Sequence, residues 1–240
     1  MSKISKSFTA SLLPFALAAI CDNAHASQED HLKRILQQKV PELEIGSVSR
    51  SPIGGLYEIV ANSRIFYSNS TGTYILVGDI INASSQENLT ETRLNKMNSA
   101  ALRDLPLRHA IKIQNGSGKR VISTFFDPNC SFCKKMSREL NKIPDATLYI
   151  FLYPVLSQDS VAKSEMILCA EDPSLAWRTW VKKGTIARAR TSCSPDATKE
   201  LLSLGKKLGI KGTPTTFLPS GKRVEGFVSG KELAEIMDLQ

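Results

Sequence analysis

The sequence predicts an α+β chain built as two modules joined by a helix. Three observations carry that prediction. Four short β-prone runs crowd into residues 43–77, with turn residues between them. An apolar run, Val121 to Phe126, leads through Asp127-Pro128-Asn129 into a stretch with helical character. Residues 154–208 then read as helical before the last strands.

Residues 1–26 read as a targeting segment. Lys3 and Lys6 give a positive start, Leu12 to Ile20 a short apolar core, and Ala24-His25-Ala26 a small-x-small cleavage site. The apolar run is too short to span a bilayer. Cys21 raises the alternative of a lipid anchor, but Ile20 is bulky where a lipobox takes Gly or Ala.

Residues 27–86 form the first expected module. Ser27 to Val40 is a helix, with Leu32, Ile35, Leu36 and Val40 at helical spacing. Leu43 to Val48, Leu56 to Val60, Ile65 to Tyr67 and Thr73 to Val77 are strands. Pro52-Ile53-Gly54-Gly55, Asn62-Ser63 and Asn69-Ser70-Thr71-Gly72 turn between them. So small a piece buries little, which makes dimerisation an obvious remedy. Thr73-Tyr74-Ile75-Leu76-Val77-Gly78 would be hazardous as a free edge. The plainer alternative makes it an internal strand.

Residues 87–109 are expected to be a linker helix. Leu89, Leu94, Met97, Ala101 and Leu102 line its apolar face, and Pro106 ends it. Residues 110–240 form the second module. Its strands are Ala110 to Gln114, Val121 to Phe126, Ala146 to Tyr153 and Val224 to Phe227. A helical insertion spans about 155–208, and Lys231 to Leu239 closes the chain as a helix.

The chemistry centres on Asn129-Cys130-Ser131-Phe132-Cys133. Strand, turn, Cys-x-x-Cys and helix in that order is the thioredoxin-type redox arrangement. Asn129 is a good N-cap, which would put Cys130 in the first helical turn. Unpaired N–H groups and the positive helix end favour a thiolate there. The thiolate is the attacking species in thiol–disulfide exchange. Cys133 lies one turn along on the same face, placed to resolve a mixed disulfide. Zinc is the competing reading. It needs four ligands, yet no second Cys-x-x-Cys exists and His25, His31 and His109 lack ligand spacing. Neither metal nor organic cofactor is expected, only the redox-active Cys130–Cys133 pair.

Five cysteines become four once Cys21 leaves with the leader. An even count in an exported chain points to disulfides, with three connectivities open. Proximity pairs Cys130 with Cys133, which leaves Cys169 and Cys193 as partners. The net charge of +8 invites a nucleic-acid reading. The bases are scattered, however, through Arg34, Lys39, Arg64, Lys112, Lys182, Arg188 and Lys206, without a basic helix or stacking motif. A solvated surface explains them, and no nucleic-acid partner is expected.

The full ordered set resembles the exported bacterial disulfide-bond isomerases of the DsbC/DsbG group. It comprises the leader, small β-rich module, helix, Phe125-Phe126-Asp127-Pro128-Asn129-Cys130-Ser131-Phe132-Cys133, Cys169 with Cys193, and Gly212-Thr213-Pro214. The resemblance implies a cystatin-like dimerisation domain with Thr73 to Gly78 near a two-fold interface. It also implies a thioredoxin-like catalytic domain, a structural Cys169–Cys193 bridge and a cis Thr213–Pro214 bond facing the dithiol. Thr213 backbone groups would pair with an extended substrate. Implied partners are a second copy of the chain, misfolded exported proteins and a membrane reductase of the DsbD type, in the periplasm of a Gram-negative bacterium. Ser131-Phe132 departs from the group's Gly-Tyr and Pro-Tyr, the dipeptide that tunes redox potential. Thr124 stands where thioredoxins carry a buried acid.

The expected function is isomerisation or reduction of incorrect disulfides. Alternatives are a DsbG-like reductase of oxidised single cysteines and a disulfide-linked chaperone. The first module argues against a monomeric oxidase, because dimerisation would shield the dithiol.

Overall fold

The computed structural model describes residues 18–186 and 196–238, with side chains from residue 28 onward. The chain divides into two compact units, the first running to Ala61 and from Ile65 to Gly78, the second taking Asn62–Arg64 and the chain from Asp79 onward.

The first unit pairs one helix with one sheet. Helix α1 spans Ala18–Lys39, and strands β1 (Ile45–Arg50), β2 (Leu56–Ala61), β3 (Arg64–Asn69) and β4 (Ile75–Leu76) lie in that order. α1 begins upstream of the expected start at Ser27. Its alanine-rich opening, Ala18-Ala19 through Ala24 and Ala26, has strong helix propensity. Leu32 and Leu36 bury against Ile45, Tyr57, Ile59 and Ala61 to form the core. Gly72 is needed where it stands. Its φ is +60°, and a Cβ there would meet Ile35 Cγ2 at 3.0 Å and Leu32 Cδ1 at 3.2 Å.

The fourth strand is far shorter than Thr73 to Val77. Only Ile75 and Leu76 pair with β3, opposite Ser68 and Tyr67. Asn69 explains the loss. Its Oδ1 accepts from the backbone N–H groups of Thr73 (2.9 Å) and Tyr74 (3.2 Å), which removes both donors from the ladder. The segment stays open to solvent, with Tyr74 70% and Val77 71% exposed.

The second unit is a five-stranded sheet covered by helices. Strands β5 (Ile111–Gln114), β6 (Arg120–Phe126), β7 (Ala146–Leu152), β8 (Thr215–Phe217) and β9 (Arg223–Glu225) lie in the order β5-β7-β6-β8-β9. β6 and β7 are parallel, and the other pairings are antiparallel. Period-2 alternation sends successive side chains into two different cores. Ile122, Phe126, Leu148, Ile150 and Leu152 enter one, with Met136, Leu140 and Trp177. Phe125, Phe151 and Tyr153 enter the other, with Leu201, Leu208 and Phe217. The adjacent Phe125 and Phe126 therefore stack on opposite partners, Phe151 at 5.0 Å and Trp177 at 5.8 Å.

Helix α2 (Leu89–Leu102) belongs to this second unit. Asn88 caps it by accepting from Glu91 N at 2.9 Å. Asn98 Nδ2 donates to Gly221 O (3.0 Å) and Ser99 Oγ to Pro219 O (3.2 Å), fastening α2 to the β8–β9 turn. Helix α3 (Ser131–Leu140) connects β6 to β7. The insertion contributes α4 (Gln158–Leu168), α5 (Pro173–Lys183) and α6 (Asp196–Lys207), and α7 (Gly230–Asp238) closes the chain. Gly205 lets α6 close on the sheet, since a Cβ there would run into the Tyr153 ring.

Candidate active site

The site forms where β6 ends and α3 begins. Cys130, not Asn129, is the N-cap of α3. Its backbone is extended (φ −70°, ψ 116°), and its Sγ accepts from Cys133 N at 3.2 Å. The expected cap is overturned because Asn129 is drawn elsewhere. Its Nδ2 donates to Asp159 Oδ2 (2.8 Å), Ser160 Oγ (3.0 Å) and Ser157 Oγ (3.3 Å), while its Oδ1 accepts from Lys163 Nζ (2.9 Å). The first turn of α4 thus competes successfully for the amide, and sulfur takes the cap.

Thr213 faces the cysteines from the loop before β8. Cys130 Sγ donates to Thr213 O at 3.4 Å, and the Thr213–Pro214 peptide bond is cis. Cys130 and Cys133 both carry free thiols; the first is 8% exposed and the second fully buried. Burial, and then the neighbouring Cys130, push the Cys133 thiol pKa far above the ordinary cysteine range. The Thr213 side chain and the Asp127 backbone pull weakly the other way. Four expected residues, Cys130, Cys133, Thr213 and Pro214, therefore meet at one place.

The turn before Cys130 is held residue by residue. Asp127 is fully buried, and its carboxylate accepts from Asn129 N (2.7 Å), Ser160 Oγ (2.8 Å) and Leu156 N (2.9 Å). Pro128 O accepts from Trp180 Nε1 at 2.7 Å. Lys134 and Lys163 place their ammonium groups 4.2 and 4.7 Å from the Trp180 ring centroid. Sequence reading missed Asp127, Ser160, Lys163 and Trp180. An acid directly after the buried Phe125-Phe126 end of a strand was the one available signal, for Asp127. Thr124 is buried and satisfied by neutral partners, Thr216 Oγ1 at 2.9 Å and Thr215 O at 3.4 Å.

The remaining expected residues lie apart from this turn. Cys169 caps the C-terminus of α4 and is disulfide-bonded. Cys193 falls outside the described residues. Thr73 to Gly78 belong to the first unit. Among the described residues no three of His, Cys, Asp and Glu gather to hold a metal ion, and no helix is long and apolar enough to cross a membrane.

Both units match known families. Residues 22–91 match the disulfide bond isomerase protein N-terminal domain, and residues 107–240 match a thioredoxin-like domain. A probable thiol:disulfide interchange protein DsbC of Bordetella pertussis is 35% identical over 206 residues, covering 86% of this chain and 73% of the relative. The chain belongs to the DsbC family of thiol:disulfide interchange proteins. The Escherichia coli relative of that name is 28% identical over 212 residues, covering 85% of this chain and 86% of the relative. Among solved structures, a disulfide interchange protein from Neisseria gonorrhoeae superposes with a TM-score of 0.52 at 34% identity, over 56% of this chain and 97% of that one. A Proteus mirabilis ScsC variant gives 0.54 at 26% identity, over 62% and 82%. The chain is therefore an α+β thiol–disulfide oxidoreductase with a DsbC-type N-terminal domain, and its family acts through redox-active cysteines.

Proposed function

We propose that Cys130 is the nucleophile and Cys133 the resolving thiol of a disulfide isomerase and reductase. The observation that carries this reading is the pairing of opposite environments three residues apart. Cys130 caps a helix, its sulfur facing the Cys133 N–H, while Cys133 is sealed from solvent. A capping thiolate is stabilised by the helix terminus, whereas a buried thiol keeps its proton and does not compete as the attacking group.

In the forward step the Cys130 thiolate bonds to one substrate sulfur. The substrate S–S bond breaks, and its electron pair leaves on the other sulfur as a thiolate. That thiolate attacks a second substrate disulfide, and the thiolate this expels attacks the substrate sulfur bonded to Cys130, so the Cys130 thiolate leaves unchanged and no net electrons pass. When rearrangement fails, Cys133 loses its proton and attacks Cys130. The substrate departs reduced, and a Cys130–Cys133 disulfide remains for an external dithiol reductant. Thr213 presents backbone groups to an extended substrate, and exposed Phe132 and Leu156 offer it apolar contact. No cofactor beyond the cysteine pair takes part.

The same reading assigns the rest of the chain. Residues 1–26 direct export to the periplasm and are removed. Residues 27–86 are the dimerisation domain, with Thr73, Tyr74, Ile75, Leu76, Val77 and Gly78 at the interface, residues 87–109 the linker and residues 110–240 the catalytic domain. Cys169 and Cys193 form a structural bridge. Misfolded exported proteins are the substrates, and a DsbD-type membrane reductase returns the dithiol to its reduced state. Reactivation of scrambled ribonuclease tests the core assignment. Cys130→Ser should be inactive, and Cys133→Ser should accumulate mixed disulfides on a non-reducing gel; equal trapping by both variants would overturn it.

A further inference from the structure

The surface around Cys130 has two flanks of different character. On one, Phe132 and Leu156 are each 59% exposed. The other is cationic and ordered. Lys134 follows Cys130 by one helical turn, its backbone N–H donating to Cys130 O at 3.1 Å. Its ammonium lies on Trp180, which is nearly buried and tied through Nε1 to Pro128 O. Lys163 shares that indole and is fixed further by Asn129 Oδ1 and Asp159. Arg138, one turn beyond Lys134, donates to Val181 O at 3.1 Å.

The charge here is unbalanced. Asp159 and the buried Asp127 are the carboxylates of this region; Asp159 is engaged by Lys163 and Asn129, and Asp127 by the Asn129 and Leu156 N–H groups and the Ser160 hydroxyl. Among the described residues Lys134 has no carboxylate partner. Burial first, and then Lys163 and Arg138, hold the Lys134 pKa below the ordinary lysine range. Lys134, Lys163 and Arg138 outnumber Asp127 and Asp159, and the two ammonium groups clamped on one indole carry that positive excess on the surface beside the reacting sulfur.

Resting on the reading of Cys130 as nucleophile, we propose that Lys134 and Lys163 are specificity-determining residues that favour protein disulfides with an Asp or Glu within two residues of the attacked cysteine. Extended chain advances about 3.3 Å per residue, so a carboxylate one or two positions from the bonded cysteine comes within roughly 7 Å of its sulfur. That is inside the screening length of about 8 Å at physiological salt. The covalent step is the one given above; the lysines transfer no proton in it and act on the approach of the substrate.

Two cysteine peptides test this, one with Asp on both sides of the cysteine and one with Asn. Each is linked by a disulfide to the same neutral coloured thiol, whose release is timed. Each rate with the full-length reduced protein is divided by the peptide's rate with a small neutral thiol. The Asp/Asn ratio should be about 5–10 at low ionic strength and shrink toward one as salt is raised, as steering by charge requires. Lys134→Gln and Lys163→Gln should each lower the ratio, and Lys134→Arg should keep it. A wild-type ratio near one, a salt-independent ratio, or an intact ratio in Lys134→Gln overturns the proposal. If Lys163→Gln unfolds through loss of its Asn129 contact, the two Lys134 variants decide alone. A Cys130→Ser protein that still releases the coloured thiol would instead overturn the nucleophile assignment, a result distinct from any change in the ratio.

Discussion

The two units solve the burial problem differently. The first covers one sheet with one helix, and its core is a single small cluster around Leu32, Leu36 and Ile59. It ends in a two-residue strand beside exposed Tyr74, Leu76 and Val77. The second covers its sheet so that adjacent Phe125 and Phe126 feed separate cores. Stability from burial grows with the fraction of surface removed from water, so the second unit has reserves that the first lacks. A unit with little core and an exposed apolar edge is suited to be completed by a partner, and a unit with two cores is suited to hold a strained or reactive group.

The largest effect should come from the second unit's chemistry. Cys130→Ser should lower disulfide exchange to background in the intact protein while leaving its mass in light scattering unchanged. Residual turnover would place reactive sulfur elsewhere and break the division of labour.

Next comes the edge of the first unit. Gly78→Arg, at a position with open space around its Cα, should convert a dimer to a monomer. Isomerase activity should fall by an amount within the range of about 10²–10⁴ that linking two binding modules contributes. General dithiol reductase activity should survive, and a wild-type mass equal to one chain would refute the arrangement.

Core truncations sharpen the comparison further. Leu36→Ala and Leu148→Ala each remove a fully packed leucine, and each should cost about 2–5 kcal/mol. Leu36→Ala should lower the unfolding temperature in a concentration-dependent way if the first unit is completed by a partner as proposed. Leu148→Ala should lower it independently of concentration. Calorimetry at two protein concentrations separates them.

The smallest effect is on pH dependence. Folding raises the pKa of Cys133, so the native state holds this proton more tightly than the unfolded chain. Its stabilising contribution is complete below the unfolded thiol pKa of about 8.5 and is lost progressively as pH rises above it. Cys133→Ala should flatten that alkaline loss in urea titrations. An unchanged slope would show that the buried thiol is not its source.

Much of this was legible in the sequence because it is local. The Cys-x-x-Cys spacing, the apolar runs of Val121 to Phe126 and Ala146 to Tyr153, and the helix expected after Glu87 and observed over Leu89–Leu102 all follow from neighbours within a few residues. The misreadings share a different cause. Asn129 is a fine N-cap by composition, yet Ser157, Asp159, Ser160 and Lys163 outbid the helix for its amide. Thr73 and Tyr74 are β-prone, yet Asn69 takes their N–H groups. In each case a side chain redirected a backbone or amide group, and propensity scales do not carry that competition. Trp180 and Lys163 had no local signature, since their partner lies across a fold the sequence does not spell out.

The anchoring of the Asp127–Asn129 turn has a consequence for the order of events during synthesis. Synthesis makes the chain N-terminus first, so Cys130 and Cys133 emerge ahead of the α4 and α5 side chains that steady the turn before them. Ser160 and Lys163 follow on α4, and Trp180 follows on α5. Until those helices dock, Pro128 O lacks its indole donor and Asp127 lacks its hydroxyl donor. The nascent dithiol is then an ordinary pair of cysteines in an unset loop. Reactive geometry therefore depends on chain made well after the cysteines themselves, and it is set only when α4 and α5 have docked on the turn.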